Sequence, residues 1–433
     1  MLKKLVFVFL FYIGILFRLW FTTLTPHDLI GDQYVYDYFA RGILQNGIFA
    51  MSDRVYGYPL ILVTLYKLFG SNNINNIYLI QAIIDTLTAF MILIIGKVVF
   101  RKPTIAWISF FLYLFNPFSS AYTGVLLTEV WAIFIIILIS LLAIYLVISK
   151  KKLFFFMLIL FLGFLPQVRP SFFIFSIGAF SALLLLSKIL LKSSKWVFIY
   201  SVSVLLFSLS FLYAVMGNLK YYDQFSPLTA DNLFVRELYL SMFVGRHVRG
   251  PLINQGEKVV EIFNELTPLP KNSQERREIA DKYFKIAINE FSKNPASSLI
   301  HHIKKMWYVW EKYYIFYYYK SFLEEFPFLP VIYFGNLFIF IGGNIGIIIA
   351  LRHAIINRKN QLLKLWFSGL SLYVVIYITL MHVISMSEQR FSLPGYPFLL
   401  LFFSYFINEL KTRLLPLILR NKHSSRIRHE HSS

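Results

Sequence analysis

Ten apolar runs, most of them long enough to cross a bilayer, set the terms on which this chain can fold. They lie at about 5–21, 76–98, 104–121, 125–148, 153–167, 171–190, 196–215, 329–351, 365–384 and 391–409. A spanning helix needs about 20 apolar residues, and the run at 153–167 is the shortest of the set. Within hydrocarbon every backbone N–H and C=O must be bonded internally, so runs of this kind fold as helices. The expected fold class is therefore all-α: a polytopic membrane protein of about ten transmembrane helices. Composition agrees. With 58% hydrophobic and only 15% charged residues, the chain carries more apolar surface than a soluble domain can bury. Lys3 and Lys4 followed by an apolar run, with no small-residue cleavage site, read as a retained first helix. Cysteine is absent, which excludes disulfides, thiolate metal sites and a cysteine nucleophile.

The formal net charge of +20 raises the question of nucleic acid, and the placement of the charges answers it. Lys3 and Lys4 put the N-terminus in the cytoplasm by the positive-inside rule. Threading ten spans from there brings five further basic clusters to the same side. They are Lys97/Arg101/Lys102, Lys150/Lys151/Lys152, Lys188/Lys192/Lys195, Arg352/Arg358/Lys359/Lys364 and the tail from Lys411 to Arg428. Only Glu409 and Glu430 are acidic there, so this side nets +19 and everything else is close to neutral. The excess is a topological signal, and no nucleic-acid partner is expected. Both termini are expected in the cytoplasm. The expected setting is a prokaryotic cytoplasmic membrane, with the acidic residues on the outside.

This threading divides the chain into a transmembrane module at 1–215 that contains an outer loop at 22–75, a large outer loop at 216–328, transmembrane helices at 329–410 and a basic tail at 411–433. In the large loop, Ile279, Tyr283, Ile286, Ala287 and Phe291 recur at helical spacing, and Asn294 and Pro295 end that helix. An aromatic and basic stretch comes next at 297–320, suited to the headgroup region as a scaffold or a lid. Residues 58–69 are apolar but too short to span, and read as an interfacial helix with Lys67 snorkelling. His423, His429 and His431 read as part of a solvated tail.

The densest group of functional residue types is the stretch 25–59, TPHDLIGDQYVYDYFARGILQNGIFAMSDRVYGYP, which carries Asp28, Asp32, Asp37 and Asp53. Threading brings three other charged places to its membrane face. Glu129 stands at the outer end of the fourth run, Arg169 lies between Pro166 and Pro170, and Glu388 and Arg390 precede the last run near His382. Carboxylates and guanidinium groups collected at an interface suit a phosphate-bearing substrate, because arginine clamps phosphate with parallel hydrogen bonds. Mutual ion pairing that locks helices is the plainer alternative. Asp85, in mid-span, reads as a polar contact with a Ser, Thr or Tyr neighbour. Arg18 reads as snorkelling outward, or as a weak phosphate contact.

At these residues the chain resembles the polyprenyl-phosphate-sugar-dependent glycosyltransferases of the GT-C superfamily, in particular glycosyltransferase family 39, which includes protein O-mannosyltransferases and lipid A aminoarabinose transferases. GDQYVYDYFARGIL and then YGYPLILVTLYKLFG resemble the family's first loop. NPFSSAYTGVLLTEVWAIF, FLPQVRPS and SEQRFSLPGYPFLLL resemble its later motifs in order, with Phe391 in place of the usual Tyr. The resemblance implies Asp32 as catalytic base, with Glu129 as a second acidic position. Arg169, Arg390, Glu388, Tyr36, Tyr58 and Lys67 are candidates for binding the donor. Where many members carry a second acid, this chain has Gln33. No Asp-x-Asp nucleotide-sugar motif is present, which suits a lipid-phosphate donor.

The resemblance implies an enzyme that transfers a sugar from a polyprenyl-phosphate carrier to a hydroxyl of a lipid, glycan or protein acceptor, on the outer face and with inversion. No cofactor is fixed by the sequence. A divalent metal ion at Asp32, Glu129 and His382 stays open, with no ligand set picked out by spacing. A transporter or flippase of lipid-linked sugars, or a glycan ligase or polymerase, are the alternatives. A transporter should show internal repeats and charges spread through several spans, and neither is seen here.

Overall fold

The computed structural model describes residues 2–24, 29, 31–51, 53–191, 195–231, 233–243, 273–312, 329–357 and 361–412. Asp28, the stretch 313–320 and the tail histidines lie outside these residues. Among the described residues every regular element is helical. The chain runs through α1 (Leu2–Thr23), α2 (Asp32–Asn46), α3 (Gly57–Phe69), α4 (Ile74–Phe100), α5 (Pro103–Leu114) and α6 (Pro117–Ala121). It continues through α7 (Glu129–Ser149), α8 (Lys152–Val168), α9 (Phe173–Leu191), α10 (Trp196–Tyr222) and α11 (Leu233–Phe243). Then come α12 (Ser273–Lys293), α13 (Pro295–Tyr308), α14 (Leu329–Ile356), α15 (Leu362–Ile384) and a last helix, α16, within Gln389–Thr412.

Eight of these, α1, α4, α7, α9, α10, α14, α15 and α16, are long and apolar enough to cross a membrane, which fits an integral membrane protein. Two of the ten apolar runs fall short of that length. The run at 104–121 is broken because the Asn116 side chain accepts hydrogen bonds from the backbone N–H groups of Phe118 and Ser119 and so caps a new helix, with Pro117 at its first position. The helix that remains, α5, is 12 residues, about 18 Å long. The other short one, α8, has 17 residues, about 26 Å.

Burial follows the solvent. On α14, Val331, Phe334, Phe338, Ile341, Ile345 and Ile348 are exposed at spacings of three and four, an apolar stripe turned outward as lipid requires. By contrast α7 and α16 are apolar all round and mostly buried, and they form the centre of the bundle.

A fully buried ion pair lies within the bundle. Arg18 of α1 donates through Nε to Asp85 Oδ2 of α4 at 2.7 Å, both side chains fully buried. Its Nη1 reaches the carbonyls of Leu114 and Gly14, and the Tyr113 hydroxyl donates to Asp85 Oδ1. Arg18 thus turns inward rather than snorkelling out. Asp85 has the tyrosine expected of it and, in addition, a cation. Burying two charges is tolerable only when nearly all their hydrogen-bonding capacity is met, as it is here.

The cap at one end of the bundle is built on α2, α3 and the end of α10. Three α10 tyrosines donate to the loop after α2: Tyr213 to Gly47 O, Tyr221 to Ile48 O and Tyr222 to Ala50 O. Helix α3, expected at the interface, packs one face into its own apolar cluster through Tyr58, Leu62 and Tyr66. Lys67 stays exposed in its last turn. In the large loop α12 covers the predicted helix, Tyr283 packing on Tyr239 of α11, and Asn294 and Pro295 open α13.

The buried pair makes a stability expectation. Asp85→Ala should cost on the order of 3–5 kcal/mol by leaving a guanidinium unpaired in the core. Arg18→Met combined with Asp85→Leu should recover most of that loss in a thermal melt of the purified protein. A double variant no more stable than Asp85→Ala would show that packing, not the stranded charge, sets the cost.

Candidate functional site

Four chain segments far apart in sequence are brought to one end of the bundle, each held by its own bonds. Gly31, at φ +56, turns the chain into α2 and leaves Asp32 as the first helical residue. Asp32 is not the cap of that helix, so its carboxylate is free to face elsewhere. The next residue, Gln33, is buried and accepts the Leu126 N–H at 3.1 Å. From α4, Gln81 donates to the carbonyls of Thr123 and Val125. These bonds fix the turn that delivers Glu129 to the start of α7, where the helix N-terminus favours its negative charge. Arg169 is extended between α8 and the 3-10 turn Pro170–Phe172. The segment leading into α16 is pinned by two buried lysines. Lys305 donates to the carbonyls of Val383 (2.8 Å) and Ser385 (2.7 Å), and Lys312 donates to Gln389 O (2.6 Å) and Ser392 Oγ. Burial pulls both lysines down to about 7.

At the centre is Arg390. Its Nη2 donates to Asp32 Oδ2 at 3.1 Å, its Nε donates to Glu388 Oε2 at 2.5 Å, and the same Nε stands 3.8 Å from Glu129 Oε1. Arg54 takes the other oxygen of Asp32, Nη2 to Oδ1 at 3.0 Å, and turns its Nη1 to Asp53 at 2.7 Å. Arg169 lies 3.7 Å from Glu129 Oε1. The guanidinium groups of Arg169 and Arg390 both lie against the Phe391 ring, at 5.2 and 5.3 Å. Four carboxylates, Asp32, Asp53, Glu129 and Glu388, and three guanidinium groups, Arg54, Arg169 and Arg390, therefore meet in one cluster. Beyond Asp53, Arg236 of α11 extends it to Asp231 at 2.8 Å.

The carboxylates are pushed in opposite directions. Burial raises the Asp32 carboxyl, but Arg390 and Arg54 outweigh it and hold Asp32 below its ordinary value. At Glu388 burial dominates over the help of Arg390, and its carboxyl is raised. Tyr36, one turn beyond Asp32, is pushed up to about 12 by burial and so carries its proton at neutral pH. Asp32 is about one third exposed, whereas Glu129 and Glu388 are buried. Around Arg390, Glu129 Oε2 and Arg169 Nη1 have no hydrogen-bond partner among the described residues, and at the far end of the cluster Asp231 Oδ1 has none either. A 3.7 Å approach is an ionic contact but not a hydrogen bond. Buried polar atoms left open in this way cost stability and mark a place where a further group can be received. The arrangement offers an ionised, partly exposed carboxylate, a spare acceptor and a spare guanidinium donor.

The remaining candidates take different places. Tyr36 lies edge-on to Tyr58 at 5.1 Å and within 6.0 Å of the Arg54 guanidinium. Tyr58 is buried and its hydroxyl donates to Gln81, so it supports the site from behind. Lys67 makes none of these contacts and stands at the far end of α3, about 15 Å along the helix from Gly57. His382 is stacked on the Phe391 ring at 4.7 Å and bonds locally to Met386 O. Among the described residues no three His, Asp or Glu side chains form a group that could hold a metal ion. Asp32, Glu129 and His382 do not make up such a group, and their nearest polar partners are arginines and backbone. Asp37 is spent on Arg41 and the Tyr66 hydroxyl.

Sequence patterning gives no role to Arg54, Arg236, Lys305 or Lys312, and marks Gln33 only as the place of a missing acid. Arg54 carries one signal, being one of two cations in a stretch with four carboxylates. No protein-family model matches the chain, and no curated protein matches it.

Gly57 sets how closely the first loop approaches the arginine turn. A Cβ there would stand 2.3 Å from Gln167 O, which is backbone and cannot yield easily. Gly57→Ala should lower thermal stability by about 1–3 kcal/mol through overpacking. Gly369→Ala, at a helical glycine with open space around it, should be neutral or stabilising. Equal melts for the two variants would remove the close approach as a constraint.

Proposed function

We propose that this chain is a membrane glycosyltransferase of the polyprenyl-phosphate-sugar-dependent kind, resembling family 39 of the GT-C superfamily. The observation that carries this reading is Arg390 joined to Asp32, Glu129 and Glu388, with Arg54 and Arg169 beside it. Apart from Arg54, these are the positions on which the resemblance rests, and they converge from opposite ends of the sequence.

The chemistry proposed is a single displacement. The acceptor O–H gives its proton to the Asp32 carboxylate as its oxygen bonds to the anomeric carbon. The bond from that carbon to the phosphate oxygen breaks, and the polyprenyl phosphate leaves with the electron pair. A general base of this kind supplies typically ~10²–10⁴ in rate. Arg390 and Arg169 stabilise the phosphate as its charge develops, the latter through its open Nη1. In the cluster as it stands, carboxylates occupy Arg390. A donor phosphate competes for the same guanidinium, and each arginine–carboxylate bond it displaces leaves Asp32 a stronger base. Glu388 holds Arg390 in register through its Nε while the Nη side exchanges partners.

The cytoplasmic placement of both termini belongs to the same reading, because the donor site must face outward. Helix α10 has Lys195 before its first residue and Lys220 near its last, both exposed. The chain has no cysteine to contribute background. A membrane-impermeant thiol reagent added to intact cells should label Lys220→Cys and not Lys195→Cys. The reverse pattern inverts the topology and takes the outward-facing donor site with it.

The catalytic reading is tested by release of polyprenyl phosphate from a panel of polyprenyl-phosphate sugars. Asp32→Asn should fold normally, since Gly31 and not Asp32 occupies the cap position. Its turnover should fall by ~10²–10⁴. Arg54→Leu should retain turnover but move the acid limb of kcat/KM to higher pH. With one of the two depressing cations gone, burial weighs more heavily on Asp32, so the carboxylate is lost at a higher pH as pH falls. A stable Asp32→Asn variant with near-normal turnover would sink the assignment. The cluster would then be an ion-pair lock, or Glu129 the base.

A further inference from the structure

The cluster around Arg390 occupies one end of α15 and α16. The other end, about 33 Å away along α15, holds a second polar site. A cavity of about 740 Å³ opens there between the ends of α4 and α14, the start of α15 and the last turns of α16. Arg101, Lys102 and Lys364 line it, facing a single carboxylate, Glu409, with His353 and Tyr405 between them.

The cations are not consumed by each other's partners. Lys364 Nζ donates to the neutral Tyr405 hydroxyl at 2.8 Å and sits 4.3 Å above that ring. Lys102 only reaches the limit of ionic contact with Glu409, at 3.9 Å, and His353 Nδ1 is 3.8 Å from the same carboxylate. Arg101 has no ionic partner among the described residues, and its left-handed backbone, φ +54, ends α4 at the cavity rim. The start of α15 adds to this. Gln361 gives no side-chain cap, and the first turn, Gln361–Lys364, lines the cavity, so its unbonded backbone N–H groups carry partial positive charge there. The site therefore holds an excess of positive charge that no described side chain balances.

The walls say what kind of anion fits. Val99, Phe100, Leu362 and Leu363 make part of the lining apolar, and Leu362 with Ile355 and Ile356 stays exposed beside it. The volume lies in the range that holds a drug-sized ligand, and a bare phosphate would leave most of it empty. We propose that this cavity binds the phosphate headgroup of an anionic phospholipid, with the acyl chains leaving along the exposed apolar ends of α14 and α15. Basic pockets between transmembrane helices at the headgroup level are suited to such lipids. The site is independent of the sugar-transfer reading and stands whether or not Asp32 is a base.

The test uses the purified full chain in neutral detergent, titrated with phosphatidylglycerol, with phosphatidylcholine and with inorganic phosphate, and bound lipid counted by native mass spectrometry. Phosphatidylglycerol should bind in preference to phosphatidylcholine. Arg101→Ala and Lys364→Ala should each weaken it about fivefold, the loss expected for one charge near an anionic headgroup. Lys150→Ala combined with Lys152→Ala removes two charges outside the cavity and should leave binding unchanged. Arg101 is exposed and has no ionic partner among the described residues, so its variant remains informative if Lys364→Ala folds poorly. The proposal is overturned if phosphatidylcholine binds as well, if the Lys150/Lys152 control loses as much, or if millimolar inorganic phosphate displaces the lipid, which would assign the cavity to a soluble anion.

Discussion

A buried charge must find its opposite, and in this protein that requirement shapes both the bundle and the site at its end. Within the bundle it produces a closed solution. Arg18 and Asp85 satisfy each other, and Tyr113 and two backbone carbonyls take up the remaining capacity. At the end of the bundle it produces an open one. Arg390 serves three carboxylates at once, and the surplus shows as an acceptor on Glu129 and a donor on Arg169 that no described group bonds. The first arrangement locks helices. The second is held in place by other bonds and so is free to exchange partners.

Those other bonds explain why the cluster does not collapse. Gln33 and Gln81 hold the turn before Glu129 through backbone groups, and Lys305 and Lys312 hold the segment of Glu388 and Arg390 in the same way. A buried lysine is costly, and burial lowers both lysines to about 7, with only Glu237 opposing it at Lys305. That cost is met by carbonyls at 2.6–2.8 Å. The stretch from α13 to Lys312 is thereby tied to the segment that carries Glu388 and Arg390.

The helical architecture was legible because hydrocarbon allows so few backbone solutions, and threading could place Asp32, Glu129, Arg169 and Arg390 on one face but not in contact, since neighbouring span ends are chosen by helix packing. The rest turned on local chemistry that hydropathy ignores. Asn116 and Pro117 interrupt an apolar run by capping, although no charge marks the break. Arg18 reads as a snorkelling residue until its height in the bundle relative to Asp85 is known. Arg54 comes directly after Asp53 and pairs with it, and its second nitrogen reaches 22 positions back to Asp32. Lys305 and Lys312 sit in an aromatic, basic stretch that reads as a headgroup contact, and their bonds run inward instead.

The opposed shifts of Asp32 and Glu388 arise from the same geometry. Both carboxylates touch Arg390, yet one is held ionised and the other pushed toward its neutral form, because Asp32 has a second cation and partial exposure while Glu388 has neither. Burial therefore outweighs the shared guanidinium at Glu388 and is outweighed at Asp32, where Arg54 adds to it. The residue left with a lowered pKa is also the most exposed of the three carboxylates that Arg390 touches. Any anion that draws Arg390 away takes one of the two cations that depress it, and raises the basicity of that carboxylate at the moment the anion binds. Coupling of this kind needs no moving domain, only a shared arginine with more partners than it can fully satisfy.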